Sequence, residues 1–250
     1  MTETTNTPTP SGPREQNKRL VLITGGNRGI GLAIARAFQA AGDRVVITHR
    51  SGAAPTGLDG VIMDVTDQAS VNEAFAKIEA EYGAVDVLVA NAGITKDGLA
   101  LRMSEEDFES VLETNVMGSF RVTQKALGAM MKRRSGRVIF IGSVVGMLGS
   151  AGQVNYSATK SALIGMARSF AREYGSRGVT FNVVAPGFVE TDMTAVLDES
   201  LRQKYVAAIP LARFASAAEI ADVVRFIASP DAAYITGAVI PVDGGLGMGH

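Results

Sequence analysis

The 250-residue chain contains no cysteine, which excludes a disulfide framework, a thiolate metal site and a cysteine nucleophile. Histidine is nearly as scarce, with His49 and the terminal His250 the only two. A Ser-His-Asp hydrolase would depend on His49 alone, and a multi-histidine zinc site has too few ligands, so no metal site is expected. Charge is also sparse. Charged residues make up 20% and the formal net charge is −1, so no global field draws the chain to nucleic acid or to an anionic membrane. A membrane span is lacking too. The stretch from Val138 to Thr159 is free of charge over the ~20 residues a crossing needs, but Gly142, Ser143, Gly146, Gly149, Ser150, Gly152, Gln153 and Asn155 interrupt it. Residues 1–18, MTETTNTPTPSGPREQNK, have no apolar core segment and carry three prolines. They read as a disordered tail rather than a signal peptide, and the expected address is the cytoplasm.

What the chain does have is hydrophobic residues, 46% of the total, together with 28 glycines. That mixture suits a sheet buried on both faces. From residue 19 the pattern alternates. Short β-branched runs stand at 20–24, 44–48, 61–65, 86–90, 137–142, 179–184 and 238–242, and helical periodicity fills about 30–41, 67–82, 104–132, 154–175, 197–208 and 216–228. Ser104 and Asp107 have capping-box spacing, and Asp67 precedes a helix that stops at Gly83. Strands alternating with helices imply βαβ units. No linker divides them, so residues 19–250 are expected to form one doubly wound α/β domain, a parallel sheet with helices on both faces.

Ligands of such sheets sit beyond the carboxyl ends of the strands. After the first strand comes Thr24-Gly25-Gly26-Asn27-Arg28-Gly29-Ile30-Gly31, spaced G-x-x-x-G-x-G. A loop of this kind can turn sharply, let a pyrophosphate approach the backbone and open a helix whose N–H groups face the anion. A ligand-free glycine turn is the plain alternative. The second strand ends in His49 and Arg50 with no carboxylate. An acid there would accept from the 2′-hydroxyl of NAD, whereas Arg50 and Arg28 together suit the 2′-phosphate of NADP(H). Either arginine could equally be a solvated surface residue, and His49 reads as a bystander. Tyr156 and Lys160 stand four apart on one helix, which places them on one face. An ammonium beside a phenol favours the phenolate and is expected to lower its pKa, giving a general acid or base. Tyr-x-x-x-Lys alone is common and usually structural. Ser143 adds a hydroxyl at the end of the fifth strand.

The ordered set TGGNRGIG (24–31), DVT (64–66), NAG (91–93), Asn115, Ser143, YSATK (156–160) and Pro186-Gly187 resembles the short-chain dehydrogenase/reductase family over essentially residues 19–250. The resemblance implies a sheet ordered 3-2-1-4-5-6-7 and NADP(H) as cofactor. It makes Tyr156 the proton donor and has Ser143 orient the carbonyl. Lys160 binds the nicotinamide ribose and lowers the tyrosine pKa, and Asn115 holds a water in a proton relay. It also implies cofactor contacts from Gly25, Asn27, Arg28, Gly29, Ile30, Gly31, Arg50, Asp64, Val65, Asn91 and Gly93. Further contacts would come from Pro186, Gly187, Val189, Thr191 and Thr194.

Within the family, NVVAPGFVETDMT (182–194) and ITGAVIPVDGG (235–245) resemble the 3-oxoacyl-[acyl-carrier-protein] reductases. The segments THRSGAAPTGLDGV and GLGMGH resemble their mycobacterial-type branch. The implied reaction is NADPH-dependent reduction of a 3-oxoacyl thioester in type II fatty-acid or mycolic-acid elongation. The rivals are a sibling reductase of acyl-CoA or another small ketone, a sugar or a steroid, and a non-catalytic NADPH-binding sensor. Met147, Leu148, Phe188, Met193, Leu197 and Tyr205 would form an apolar rim for the acyl chain. Surplus apolar residues on the helices at 104–132 and 154–175 imply a homotetramer. The basic run Lys132-Arg133-Arg134 with Arg137, joined by Arg172 and Arg177, either caps helix ends or docks an acidic acyl-carrier protein.

Overall fold

A computed structural model describes residues 18–195 and 198–248. All but Lys18 of the expected tail, Leu197 and the terminal Gly249-His250 lie outside the described residues, as does the side chain of Met193. Seven runs become strands: β1 (Leu20–Thr24), β2 (Arg44–His49), β3 (Asp59–Ile62), β4 (Val87–Ala90), β5 (Gly136–Ile141), β6 (Val179–Pro186) and β7 (Val239–Val242). They form one parallel sheet in the order 3-2-1-4-5-6-7. Two two-residue strands, Val189–Glu190 and Ala215–Ser216, pair separately.

Successive side chains of a strand point to opposite faces, so a strand covered on both sides is apolar throughout. β1 follows this rule: Leu20 and Leu22 join one core cluster, and Val21 and Ile23 join the other. The first cluster is closed by α2 (Gln68–Glu81), α4 (Gly118–Arg133) and α5 (Val154–Tyr174), through Phe75, Met130 and Phe170 among others. The second is closed by α1 (Gly29–Ala40) and α7 (Ala217–Ile227), through Phe38 and Val224. α3 (Glu105–Leu112) and α6 (Glu199–Ala208) lie beside the carboxyl edge.

Three local expectations shift. The third strand runs 59–62 rather than 61–65. Met63 and Val65 are buried without being in the ladder, because Asp64 turns the chain by accepting from both the backbone N–H and the hydroxyl of Thr66. The helix expected over 104–132 is interrupted. Glu113–Met117 is a π-helical turn between α3 and α4, a local widening that often marks functional sites. The capping box at Ser104 is half formed. Ser104 accepts from the Asp107 N–H, but the Asp107 carboxylate turns to Lys96, 3.0 Å away.

Candidate active site

The strand ends bring the singled-out residues to one edge. At the end of β1 the Thr24 hydroxyl accepts from the backbone N–H groups of Asn91 and Ala92, each at 3.0 Å. The Asn91 amide donates back to the carbonyls of Thr24 and Gly25. This clasp holds the glycine loop against the end of β4. Gly25 and Gly29 take left-handed φ values of 64° and 53°, which glycine adopts without strain. A Cβ on Gly31 would fall against the Gly25 carbonyl and the Asn91 amide. The first turn of α1 then opens with no side-chain cap and no acidic residue, so its N–H groups and the positive end of the helix dipole are left for an anion. Thr191 closes over this loop, its methyl 3.8 Å from where a Gly29 Cβ would stand.

Arg28 and Arg50 are both exposed beside the loop. Asp64 is half-buried, which raises its pKa, but hydrogen bonds from Thr66 and the positive charge of Arg50 outweigh that and hold it below the usual carboxylate value. Arg50 and the Asp64-Val65 turn therefore share one corner. Gly93 is exposed at the end of β4, with Asn115 and Lys160 beneath it. The Thr194 hydroxyl donates to the Val189 and Thr191 carbonyls and so closes its own turn beside Thr191.

On the catalytic side, Lys160 is only 5% exposed. Its Nζ donates to the Ile141 carbonyl at 2.8 Å and lies 5.3 Å from the centre of the Tyr156 ring. The expected lowering of the tyrosine pKa is reversed here. Desolvation dominates and pushes Tyr156 up to about 12; the hydrogen bond with Ser143 pulls it down and the Asp97 carboxylate raises it further. Burial acts on Lys160 in the opposite sense, taking it down to about 8. Tyr156 is thus a protonated phenol at neutral pH, hydrogen-bonded to Ser143 and poised to donate.

Asn115 sits in the π turn, buried. Its Oδ1 accepts from the Ile94 N–H, and its Nδ2 donates to the Ile94 carbonyl and to the Thr159 hydroxyl at 3.1 Å. Its side chain ties the loop after β4 to α5. Asn155, which sequence reasoning passed over, does the same one turn away: its Nδ2 donates to the Lys96 carbonyl and its Oδ1 accepts from the Tyr156 N–H. A buried amide directly before the tyrosine was the available signal. Over the cleft, Phe188 stacks on Tyr205 with ring centres 4.3 Å apart and on Phe214 at 5.3 Å. Arg202 bonds Glu190 across the same wall. Leu148, 46% exposed, supplies an outer apolar edge.

Residues 25–247 match the family model described as Enoyl-(Acyl carrier protein) reductase. The chain is 55% identical over 232 residues to the 3-oxoacyl-[acyl-carrier-protein] reductase MabA of Mycobacterium avium, which covers 93% of this chain and 91% of that protein. It is 47% identical over 238 residues to the 3-oxoacyl-[acyl-carrier-protein] reductase FabG of Escherichia coli (strain K12), covering 92% and 98%. Among solved structures, the crystal structure of gox2181 superposes with a TM-score of 0.89 at 33% identity, covering 92% of this chain and 96% of that one. With this fold, this edge and these relatives, the chain belongs to the short-chain dehydrogenase/reductase family.

Proposed function

We propose that the protein is an NADPH-dependent 3-oxoacyl-[acyl-carrier-protein] reductase of fatty-acid elongation, converting a 3-oxoacyl thioester to the 3-hydroxyacyl thioester. The observation that carries this reading is the pairing of two hydroxyls, Ser143 and Tyr156, with a buried Lys160 at the carboxyl edge. Reduction of a ketone places negative charge on its oxygen, and two adjacent hydroxyl donors are what such an oxygen needs. A sensor that only bound nucleotide would have no use for a proton-donating phenol paired with a second hydroxyl. The names of the MabA and FabG relatives point the same way. Because the family model's description names an enoyl group, the two-hydroxyl pair is the feature that favours the ketone.

The cradle fits a dinucleotide, since the missing Cβ of Gly31 lets the loop close against Asn91 and the uncapped start of α1 offers its N–H groups to a pyrophosphate. Gly25, Asn27, Arg28, Gly29, Ile30 and Gly31 would hold that pyrophosphate, and Asp64, Val65, Asn91 and Gly93 the adenosine side. Pro186, Gly187, Val189 and Thr191 would hold the nicotinamide side, with Lys160 on its ribose. When bound, the cofactor supplies the hydride. Ser143 orients the carbonyl, and Tyr156 gives its proton to the oxygen. Asn115 fixes the loop and helix on which this arrangement rests, and its π turn would seat the relay water. Phe188, Tyr205 and Leu148 line the acyl side.

Arg28 and Arg50 support NADPH over NADH. Arg50→Asp is expected to lower the NADPH/NADH ratio of kcat/KM by at least about tenfold, because a carboxylate repels the 2′-phosphate and accepts from a free 2′-hydroxyl. An unchanged ratio in steady-state assays would move the phosphate grip elsewhere.

The carrier dock narrows from the whole basic run to part of it. Arg133 is tied to Asp86 and to the Val85 carbonyl, and Arg137 is half-buried. Arg134, exposed at the end of α4, donates to the Ser176 carbonyl at 2.7 Å and so lies beside Arg177. This corner is about 30 Å along α5 from Tyr156 of the same chain. A two-fold axis perpendicular to α5 runs paired helices antiparallel and brings the corner toward a neighbour's Tyr156. Exposed Phe120, Met117, Leu112 and Val154 around α3, α4 and α5 support such pairing, and with it a homotetramer. NADPH oxidation should proceed with both acetoacetyl-CoA and 3-oxoacyl carrier substrates. Arg134→Glu with Arg177→Glu should raise KM several-fold for the carrier substrate only. Equal losses on both would assign these arginines to structure, and no turnover of either substrate by the unaltered protein would refute the reductase reading.

A further inference from the structure

His49, which reads from the sequence as a bystander, is buried. It ends β2 directly before Arg50 and is only 5% exposed. Its Nδ1 donates to the Ser51 carbonyl at 3.2 Å, so the ring reaches over Arg50 and staples the turn that carries it. A carbonyl can only accept, which places the ring proton on Nδ1 and leaves Nε2 without it in the neutral ring. The other side of the ring meets β3. A Cβ on Gly60 would stand 3.0 Å from His49 Nε2 and 2.5 Å from the Ala54 Cβ. Only a glycine there lets the edge strand, the ring and the 50–58 loop close up. The His49 carbonyl accepts from the Met63 N–H at 3.0 Å, next to Asp64. Asp64 in turn feels the charge of Arg50. The buried ring thus joins the turn bearing Arg50 to the edge strand, while the Met63 bond belongs to the His49 backbone and survives a change of side chain.

We infer that His49 is a positioning residue for recognition of the cofactor's 2′-phosphate, fixing through the Ser51 carbonyl and Gly60 the turn from which Arg50 reaches it. The inference rests on the NADPH reading above. An exposed arginine on an unrestrained turn loses side-chain and backbone entropy when it grips an anion, and a turn stapled beforehand removes part of that cost. Ser51 and Gly52, the latter at φ +82°, would otherwise let the turn wander. The adenosine and pyrophosphate contacts lie on other segments, so the effect should be confined to the 2′-phosphate.

The test compares His49→Phe, His49→Gln and His49→Asn by fluorescence titration with NADPH and with NADH, alongside thermal unfolding. Phe keeps a ring but has no donor. Gln places its amide nearer the Nε2 position, and Asn places an N–H near that of Nδ1. Phe and Gln should weaken NADPH binding about tenfold, the scale of one lost hydrogen bond, with NADH within about twofold. Asn should stay close to the unaltered protein for both nucleotides. If NADPH and NADH weaken together, or if neither changes, His49 serves only the fold or nothing, and the inference is overturned. Should Phe fail to fold, Gln alone decides. The cofactor reading fails separately, and takes this inference with it, if the unaltered protein binds NADH as tightly as NADPH.

Discussion

Replacing Tyr156 by Phe is expected to cut kcat for ketone reduction by about 10²–10⁴, the loss usual for a general acid, with little change in nucleotide affinity or unfolding temperature. The phenol is placed by elements that do not depend on its hydroxyl. Asn155 holds the start of α5 to the loop after β4 through the Lys96 carbonyl, and Thr159 holds its next turn to Asn115. The ring stays packed without its oxygen. What is lost is the proton, which burial keeps on the oxygen up to about pH 12, and the hydrogen bond through which Ser143 is aligned. Because the phenol remains protonated across the working range, the alkaline limb of kcat should not report Tyr156. Single-turnover kinetics with bound nucleotide check the prediction, and activity within tenfold of the unaltered protein would remove Tyr156 from the proton-donor role.

The sheet and the cradle were legible in the sequence because they obey short-range rules. β-branched runs five or six residues long, separated by helical periods, leave little besides a parallel doubly wound sheet. The glycine spacing at 25–31 marks a turn that only glycine tolerates. The π turn at Glu113–Met117 was not legible, since one extra residue within a helix hardly alters the apolar period on either side. The bonds of the Asn115 side chain were hidden too, because they are long-range. Its partners, Ile94 and Thr159, lie 21 and 44 residues away. The pKa of Tyr156 was misjudged because spacing shows the neighbouring ammonium but not how little solvent either group keeps. The burial of His49 was hidden for a similar cause: nothing local reveals that Gly60, on the adjacent strand, makes space for its ring.

Lys160 provides the sharper physical test, because its function and its stability should pull in opposite directions. Its ordinary pKa of 10.5 falls to about 8 through burial alone, so keeping the ammonium charged costs the native state on the order of 3 kcal/mol at neutral pH. The bond to the Ile141 carbonyl offsets about 1 kcal/mol of any gain from its removal. Lys160→Met keeps the length of the side chain and drops the charge. It should raise the unfolding temperature by about 4–8 °C at pH 7, taking 2–4 °C per kcal/mol for a chain of this size. The sign follows from the native value lying below the unfolded one. The unfolded chain binds the extra proton between about pH 8 and 10.5, so the penalty is full below 8 and fades as pH rises through 10.5. The stabilisation by Met should fade over the same interval. Activity should move the other way, with kcat/KM falling by at least about 10²-fold, because the variant loses both the ribose contact and the charge facing the phenol. In the unaltered enzyme kcat/KM should decline above about pH 8 as free Lys160 gives up its proton. Calorimetry from pH 7 to 11 reads the first effect and initial rates read the second. A variant destabilised at pH 7 would mean that the ammonium's bond to Ile141 outweighs the cost of burying its charge.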